Sequence, residues 1–256
     1  MKLLESIEAL KSWQASVSGS TTGFVPTMGA LHAGHLSLIE HSRADCQATV
    51  VSIYVNPTQF NNPNDLANYP NTLEEDLRQL RVAGVDAVFL PDYNLLYPDG
   101  FRYQVEETVF SHELCGEQRP GHFTGVLTVV MKLLNLVKPD RAYFGEKDYQ
   151  QLSLVRGMVE AFFLDTEIVG CPIVREEDGL AMSSRNLNLT AADRSHAPRF
   201  SRILASACGD SEAVQQLQSD GFKVDYVRTI DGRRFGAVLM GSEERPVRLI
   251  DNVRVG

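Results

Sequence analysis

Cysteine is scarce in this sequence of 256 residues, and none of its four cysteines is spaced for a shared site. No C-x-x-C pair occurs, which excludes a zinc ribbon and a thioredoxin-like site and is typical of free thiols in a reducing compartment. No run approaches the roughly 20 apolar residues that span a bilayer. Residues 1–10 also lack the unbroken apolar core of a signal peptide. We therefore predict a cytoplasmic protein without a membrane partner.

Positive charge is also in short supply. There are 24 Lys and Arg residues against 33 Asp and Glu, which gives a formal net charge of -9 and a pI near 5.2. Binding to a nucleic-acid backbone requires clustered cations, so we expect no nucleic-acid partner. A local basic pocket for a small phosphate ligand remains compatible with this charge.

Short apolar strands alternate with helices over residues 1–175. Residues 48–55 are almost all apolar or β-branched, as in strands that are buried on both faces of a parallel sheet. The pattern predicts a parallel, Rossmann-like α/β domain. The expected strands are 22–26, 48–55, 85–90, 141–144 and 167–174, and the expected helices are 34–45, 72–83, 125–137 and 148–162. Thr72, with Glu75 three residues later, predicts a capping box at one of these helices.

Residues 176–256 have a different texture and predict a smaller α+β domain. More polar helical stretches over 190–207 and 211–221 precede strand-like segments at 224–230, 237–240 and 247–250.

The segment from Pro26 to His35 ends a strand and begins a helix. The first backbone N–H groups of a helix favour anions, and glycines allow ligand atoms to approach closely. His32 and His35 lie on one side of the first helical turn, where each can donate a hydrogen bond to a phosphate. The alternatives are one half of a metal site, or a histidine that only caps the helix.

A second strand, glycine turn and helix occur around Gly145. Two such crossings in one sheet suit a nucleotide site at a topological switch point. Lys147 can contact a phosphate and Asp148 a ribose, and a solvated charged turn is the alternative. The loop of residues 178–185 adds two hydroxyls and the cation of Arg185, which can bind a phosphate bidentately.

Two of these motifs resemble the paired signatures of the nucleotidyltransferase superfamily. Residues 32–35 resemble its His-x-Gly-His element, and Met182–Arg185 resembles its Lys-Met-Ser-Lys-Ser-type loop. Across residues 20–190, further motifs resemble the pantothenate synthetase (pantoate–β-alanine ligase) family. They are Val55–Phe60 (VNPTQF), Tyr69–Pro70, Arg119–Phe123 (RPGHF), Gly145–Gln151 (GEKDYQQ) and Ser183–Asn186 (SSRN).

This resemblance implies a homodimeric, Mg²⁺-dependent enzyme that condenses (R)-pantoate with β-alanine and converts ATP to AMP and pyrophosphate through a pantoyl adenylate. It implies that His35 donates a proton, that His32, Lys147 and Arg185 assist, and that Gln59 and Gln151 bind pantoate. The implied ATP-binding residues are Met28, Gly29, Ala30, Leu31, His32, Ala33, Gly34, His35, Gly145, Glu146, Lys147, Asp148, Val174, Met182, Ser183, Ser184 and Arg185. Glu75 is the expected magnesium ligand, and the expected secondary contributors are Asn56, Tyr69, Arg119 and His122.

The sequence departs from the family pattern at three places. Thr58 stands where Met is common and is expected to loosen the apolar wall against pantoate, and Glu75 replaces an Asp of some relatives. After about Ala205 the chain is shorter than usual in the family, in the domain expected to act as a lid. Two other functions remain open from the residues: nucleotidyl transfer to a phosphorylated acceptor, and nucleotide sensing without catalysis.

Overall fold

The computed structural model describes residues 1–61, 63–67, 69–242 and 245–255. The chain forms two compact units. The first comprises Met1–Glu146 and Gln150–Cys171, and the second comprises Lys147–Tyr149 and Pro172–Gly256. The main change of unit, between Cys171 and Pro172, lies close to the expected domain boundary at residues 175 and 176.

The first unit is built on a six-stranded parallel sheet with the strand order β1-β4-β3-β2-β5-β6. The strands are β1 (Lys2–Leu4), β2 (Thr22–Thr27), β3 (Ala48–Ile53), β4 (Ala87–Phe89), β5 (Arg141–Gly145) and β6 (Glu167–Cys171). The helices are α1 (Ile7–Ser16), α2 (Ala33–Asp45), α3 (Pro63–Ala67), α4 (Leu73–Val82), α5 (Tyr93–Leu96), α6 (Cys115–Gln118), α7 (His122–Val137) and α8 (Tyr149–Ala161). Short 3-10 helices lie at Pro57–Gln59, Phe110–His112 and Glu146–Asp148. The predicted parallel α/β class is confirmed.

The central strands form because their side chains are buried on both faces of the sheet. Val50 and Val51 on β3, like Phe24 and Val25 on β2, have no exposed surface. β-branched and aromatic side chains fit such a pleated, covered surface. These strands therefore fix the carboxyl edge of the sheet, where the candidate site lies.

In the first unit, local signals were wrong at β1, at the start of α7 and at the start of α4. β1 was not predicted, because three residues carry little periodicity and form a strand by pairing with Ala87–Phe89 of β4. α7 begins at His122 rather than at residue 125, after a left-handed Gly121. The expected capping box at α4 is absent, because the Thr72 hydroxyl donates to Asp76 and Glu75 pairs with a neighbouring arginine.

The second unit comprises three helices and an antiparallel sheet of β7 (Lys223–Ile230), β8 (Arg233–Ser242) and β9 (Arg245–Arg254). The helices are α9 (Ala191–His196), α10 (Pro198–Ser206) and α11 (Asp210–Ser219), and Ser184–Asn188 is a 3-10 helix. One helix was expected over 190–207, but Pro198 divides it, since proline lacks the N–H that a helix interior requires. Within the described residues, no helix is long and apolar enough to cross a membrane.

Candidate active site

The segment after β2 lies at the topological switch point of the first sheet. From β2, the strand order runs through β3 and β4 in one direction and through β5 and β6 in the other. The carboxyl ends of β2 and β5 are therefore neighbours, which is where open α/β sheets bind ligands. Thr27 ends β2 and Gly145 ends β5, so the first two predicted motifs begin at this crevice.

A buried carboxylate from α4 holds the turn that follows β2. Gly29 and Ala30 both have left-handed backbones, with φ of 80° and 50°. The N–H groups of Ala30 and Leu31 donate to the two carboxylate oxygens of Asp76 at 2.9 and 2.8 Å. Asp76 is only 1% exposed. These two N–H groups are therefore bound within the protein, and the donors expected for a phosphate are those of the first turn of α2, which follows.

The two histidines cap α2 through the same kind of ring atom. Gly34 N–H donates to His32 Nδ1 at 3.1 Å, and His32 N–H donates to His35 Nδ1 at 3.3 Å. A ring nitrogen that accepts a hydrogen bond carries no proton, so in each neutral ring the proton lies on Nε2. Nδ1 of each histidine therefore takes part in the helix cap, which was one of the alternatives. The N–H donor of each neutral ring is then Nε2–H.

Gln59 lies beside the first turn and is held from two sides. Its side-chain nitrogen is 2.8 Å from Met28 Sδ, and Asn56 Nδ2 donates to its Oε1 at 3.2 Å. Arg119 Nη2 donates to the Gln59 carbonyl at 3.2 Å, and His122 Nδ1 lies 2.8 Å from the same oxygen. The structure therefore brings three of the expected secondary contributors to Gln59.

The hydroxyl of Thr58 joins a small buried network. It donates to Asn56 Oδ1 at 3.0 Å and lies 3.3 Å from Tyr97 Oη. Tyr97 Oη also donates to Asn56 Oδ1, at 2.9 Å. Burial raises the pKa of the Tyr97 hydroxyl, so it remains a donor at neutral pH. Tyr69, the remaining expected contributor, packs edge-on against Phe60.

The two adjacent glutamines at the start of α8 have different surroundings. Gln150 is 4% exposed and accepts a hydrogen bond from Cys115 N–H. Its amide nitrogen donates at 2.7 Å to the carbonyls of both Phe110 and Glu113. Gln150 is thus a structural residue, whereas Gln151 is partly exposed and remains the candidate for binding a ligand.

The remaining predicted residues lie mostly in the second unit. Lys147 Nζ is 3.6 Å from the Asp148 carboxylate, in the 3-10 helix that follows β5. In the loop after β6, Met182 N–H donates to the Val174 carbonyl at 3.0 Å. Arg185 N–H donates to Ser183 Oγ at 3.2 Å, which starts the next 3-10 helix.

The Glu75 carboxylate accepts hydrogen bonds from side chains of its own helix, α4. Its two carboxylate oxygens accept from Arg78 at 2.6 and 2.7 Å, and one also accepts from Gln79. The arginine holds the pKa of Glu75 at about 2. Among the described residues, no cluster of three or more His, Cys, Asp or Glu side chains is placed to hold a metal ion. A cation at Glu75 would have to displace Arg78.

A comparison with known proteins identifies the family of this chain. The sequence model of the pantoate–β-alanine ligases matches residues 2–254. The chain belongs to the pantoate–β-alanine ligase family. A pantothenate synthetase of Bdellovibrio bacteriovorus is 52% identical over 254 residues, which cover 99% of both chains. A pantothenate synthetase of Legionella pneumophila is 52% identical over 230 residues, or 90% of each chain.

Solved structures of the family agree with this fold. A pantoate–β-alanine ligase from Francisella tularensis, in complex with beta-gamma ATP and β-alanine, superposes with a TM-score of 0.93 at 43% identity. The match covers 99% of this chain and 97% of that one. A Thermus thermophilus pantothenate synthetase gives 0.89 at 40% identity, with 99% of both chains covered. The chain is therefore not shortened after Ala205 relative to these ligases, contrary to the sequence-based expectation.

Asp76, which holds the turn of the first predicted motif, is the residue that the sequence analysis missed. It belongs to the acidic run Glu74–Asp76, of which the sequence analysis singled out only Glu75. The available signal was its position on the helix. Asp76 lies on the buried face of α4, whereas Glu74 and Glu75 are exposed. Its partners at Ala30 and Leu31 are remote in sequence, so only the fold reveals the contact.

Proposed function

We propose that this enzyme joins (R)-pantoate to β-alanine to form pantothenate, with ATP converted to AMP and pyrophosphate. A pantoate carboxylate oxygen attacks the α-phosphorus, and the bond to the β-phosphate oxygen breaks. The β-alanine amine then attacks the acyl carbon of the pantoyl adenylate, and AMP leaves. The observation that carries this proposal is the pair of histidines that cap α2 at the switch point of the sheet, in a chain of this family.

In this proposal His32 and His35 act on the phosphates as neutral Nε2–H donors. The backbone bonds to their Nδ1 atoms fix both rings in one tautomer before ATP arrives. Preorganised donors stabilise the charge that develops on the phosphates without reorganising during the reaction. His35, the proposed proton donor, shares its Nε2 proton in a hydrogen bond with the departing pyrophosphate, and His32 helps to hold the phosphates.

Cationic side chains supply the remaining electrostatic stabilisation. The attack brings two anions together, so the barrier is largely electrostatic. Lys147 and Arg185 are proposed to bind the phosphates and the departing pyrophosphate. The rest of the proposed ATP pocket comprises Met28–Gly34, Gly145, Glu146, Asp148, Val174 and Met182–Ser184.

Pantoate is proposed to lie against Gln59 and Gln151. Their amides can orient its carboxylate and hydroxyls without adding charge. Gln59 is suited to this because Asn56 and Met28 fix its side chain, while Arg119 and His122 fix its backbone. Positioned reactants lower the barrier through proximity.

We further propose Mg²⁺ as the companion of ATP, because magnesium is usually bound through one or two carboxylates together with substrate phosphates. Glu75 remains the predicted protein ligand, at the cost of its bond to Arg78. A homodimer, a cytoplasmic location and a lid role for the C-terminal domain are also proposed, on the family resemblance. Light scattering after gel filtration tests the dimer.

A product assay tests the reaction. ATP, pantoate and β-alanine are supplied together and then with one left out at a time. We expect multiple turnovers to AMP, pyrophosphate and pantothenate only from the complete mixture, and about one pyrophosphate per enzyme molecule when only β-alanine is left out. Pantoate labelled with ¹⁸O in its carboxylate should transfer one labelled oxygen to AMP, because the adenylate shares that oxygen. Release of ADP and phosphate, or unlabelled AMP, would overturn the mechanism.

Two substitutions of one histidine separate its two ring atoms. Asn at position 35 can replace the Nδ1 acceptor and lacks the Nε2 donor, whereas Gln can place its amide N–H near Nε2. If His35 donates from Nε2, His35→Gln should retain more adenylate formation than His35→Asn. His35→Ala should lower the rate of adenylate formation by several orders of magnitude and leave the fold intact. Equal activity of all three variants and the wild type would remove His35 from the chemistry.

A further inference from the structure

One face of the C-terminal sheet carries polar and aromatic side chains onto a segment that is remote in sequence. Arg233 and Phe235 lie two residues apart on β8, and Asn252 on β9 pairs with Phe235. Because side chains alternate across a strand, all three share one face. The opposite face packs on the helices of the second unit, where Arg234 donates to the carbonyls of Leu204 and Ala207.

That face holds the segment Lys147–Tyr149. Asn252 Nδ2 donates to the Lys147 carbonyl at 3.0 Å. The Arg233 guanidinium lies 3.7 Å from the centre of the Tyr149 ring, and Phe235 packs on the same ring at 6.1 Å. Arg233 also donates to Asn252 Oδ1, so its guanidinium and the amide support each other.

The side chains that make these contacts are buried. Asn252 is 2% exposed and Arg233 is 6% exposed. A buried amide is costly unless its donors and acceptors are paired. Here the Asn252 amide oxygen accepts from Arg233, and the amide nitrogen donates to the backbone carbonyl of Lys147. The three residues Lys147–Tyr149 accordingly belong to the second unit, although their chain neighbours on both sides belong to the first.

We propose that Asn252 is a positioning residue for Lys147, with Arg233 as its support. This rests on the proposed phosphate role of Lys147. The amide fixes the peptide that carries the lysine, and stacking on Tyr149 fixes the next turn. The last strand of the chain therefore sets where the ammonium group meets the ATP phosphates, and small displacements of such a group have large kinetic effects.

The test is a double-mutant cycle on Asn252 and Lys147. Adenylate formation is measured as pantoate-dependent exchange of pyrophosphate with ATP, without β-alanine. Asn252→Ala should lower it about ten- to a hundredfold. Asn252→Asp keeps an oxygen for Arg233 and loses the donor to Lys147, so we expect a similar decrease. This variant replaces Asn252→Ala in the test if the alanine variant folds poorly. In the background of Lys147→Ala, the same substitutions should have almost no further effect, because residues that act as a unit are not additive.

The matched control is Asn135→Ala. Asn135 is exposed on α7, and its amide also donates to a backbone carbonyl, that of Met131, at 2.9 Å. This control should keep wild-type exchange. Asn252 variants as active as the control, or effects that multiply fully with Lys147→Ala, would overturn the proposal.

A binding measurement separates this inference from the proposed function. Calorimetric titration with ATP alone should show the same non-additive weakening in the Asn252 and Lys147 variants. If the wild type lacked pantoate-dependent exchange, the proposed function would be wrong, whereas the ATP-binding cycle would still decide the role of Asn252. Additive losses of ATP affinity would refute it.

Discussion

Replacing Asp76 should damage both stability and ATP binding, because this carboxylate holds the turn at Gly29–Leu31. In Asp76→Ala, the buried N–H groups of Ala30 and Leu31 lose their acceptor. Hydrogen bonds to a charged group each contribute about 1.5–3 kcal/mol. Two of them suggest about 3–6 kcal/mol, which relief of the desolvated carboxylate partly offsets. We expect a net loss of about 2–4 kcal/mol in the free energy of unfolding.

The isosteric variant gives a graded result. In Asp76→Asn one oxygen still accepts, but the new amide nitrogen faces a backbone N–H donor. We therefore expect a loss of about 1–3 kcal/mol, since one buried donor stays unpaired. The KM for ATP should rise about tenfold or more in both variants, because the histidines that follow the turn are displaced.

Urea unfolding with linear extrapolation gives the stability, and initial rates give the KM. Glu74→Ala is the stability control, because Glu74 lies in the same helical turn and is exposed. It should stay within about 0.5 kcal/mol of the wild type. An Asp76→Ala variant that matched this control, with an unchanged KM for ATP, would refute the argument that Asp76 holds the turn.

Three further predictions concern single contacts. Gly29→Ala should cost about 1–2 kcal/mol in urea unfolding, because its φ is 80° and a Cβ would meet the Asp76 carboxylate at 3.0 Å. Thr58→Val replaces the hydroxyl by a methyl group and breaks the bond to Asn56, which holds Gln59, so it should raise the KM for pantoate about three- to tenfold while leaving that for ATP unchanged. Lys132 holds the pKa of Asp99 at about 2, below its usual value of about 3.9. The stability from this pair is therefore present above about pH 4 and lost as the pH falls towards 2. Asp99→Asn should remove that part of the acid transition, and an unchanged acid titration of stability would contradict it.

Local sequence patterns were sufficient for the elements whose own run of apolar residues is strong. β3 was predicted because a run of β-branched residues suits only a strand that is covered on both faces. The antiparallel C-terminal strands were located as well, although β8 and β9 extend well beyond the predicted 237–240 and 247–250. Their outer residues pair across the sheet without a strong apolar pattern, so the sequence understates their length.

The sequence by itself determined the chemistry that is available: two histidines at a strand-to-helix turn, a lysine after a second strand, and hydroxyls beside Arg185. Only the tertiary structure decided how these groups are held. Asp76 reaches its turn, and Asn252 reaches Lys147, across separations of 45 and 105 residues. Such hydrogen bonds leave no periodic signal, because they depend on where packed elements bring single polar atoms. For that reason candidate reactive residues could be predicted from the sequence, whereas the residues that hold them in place could not.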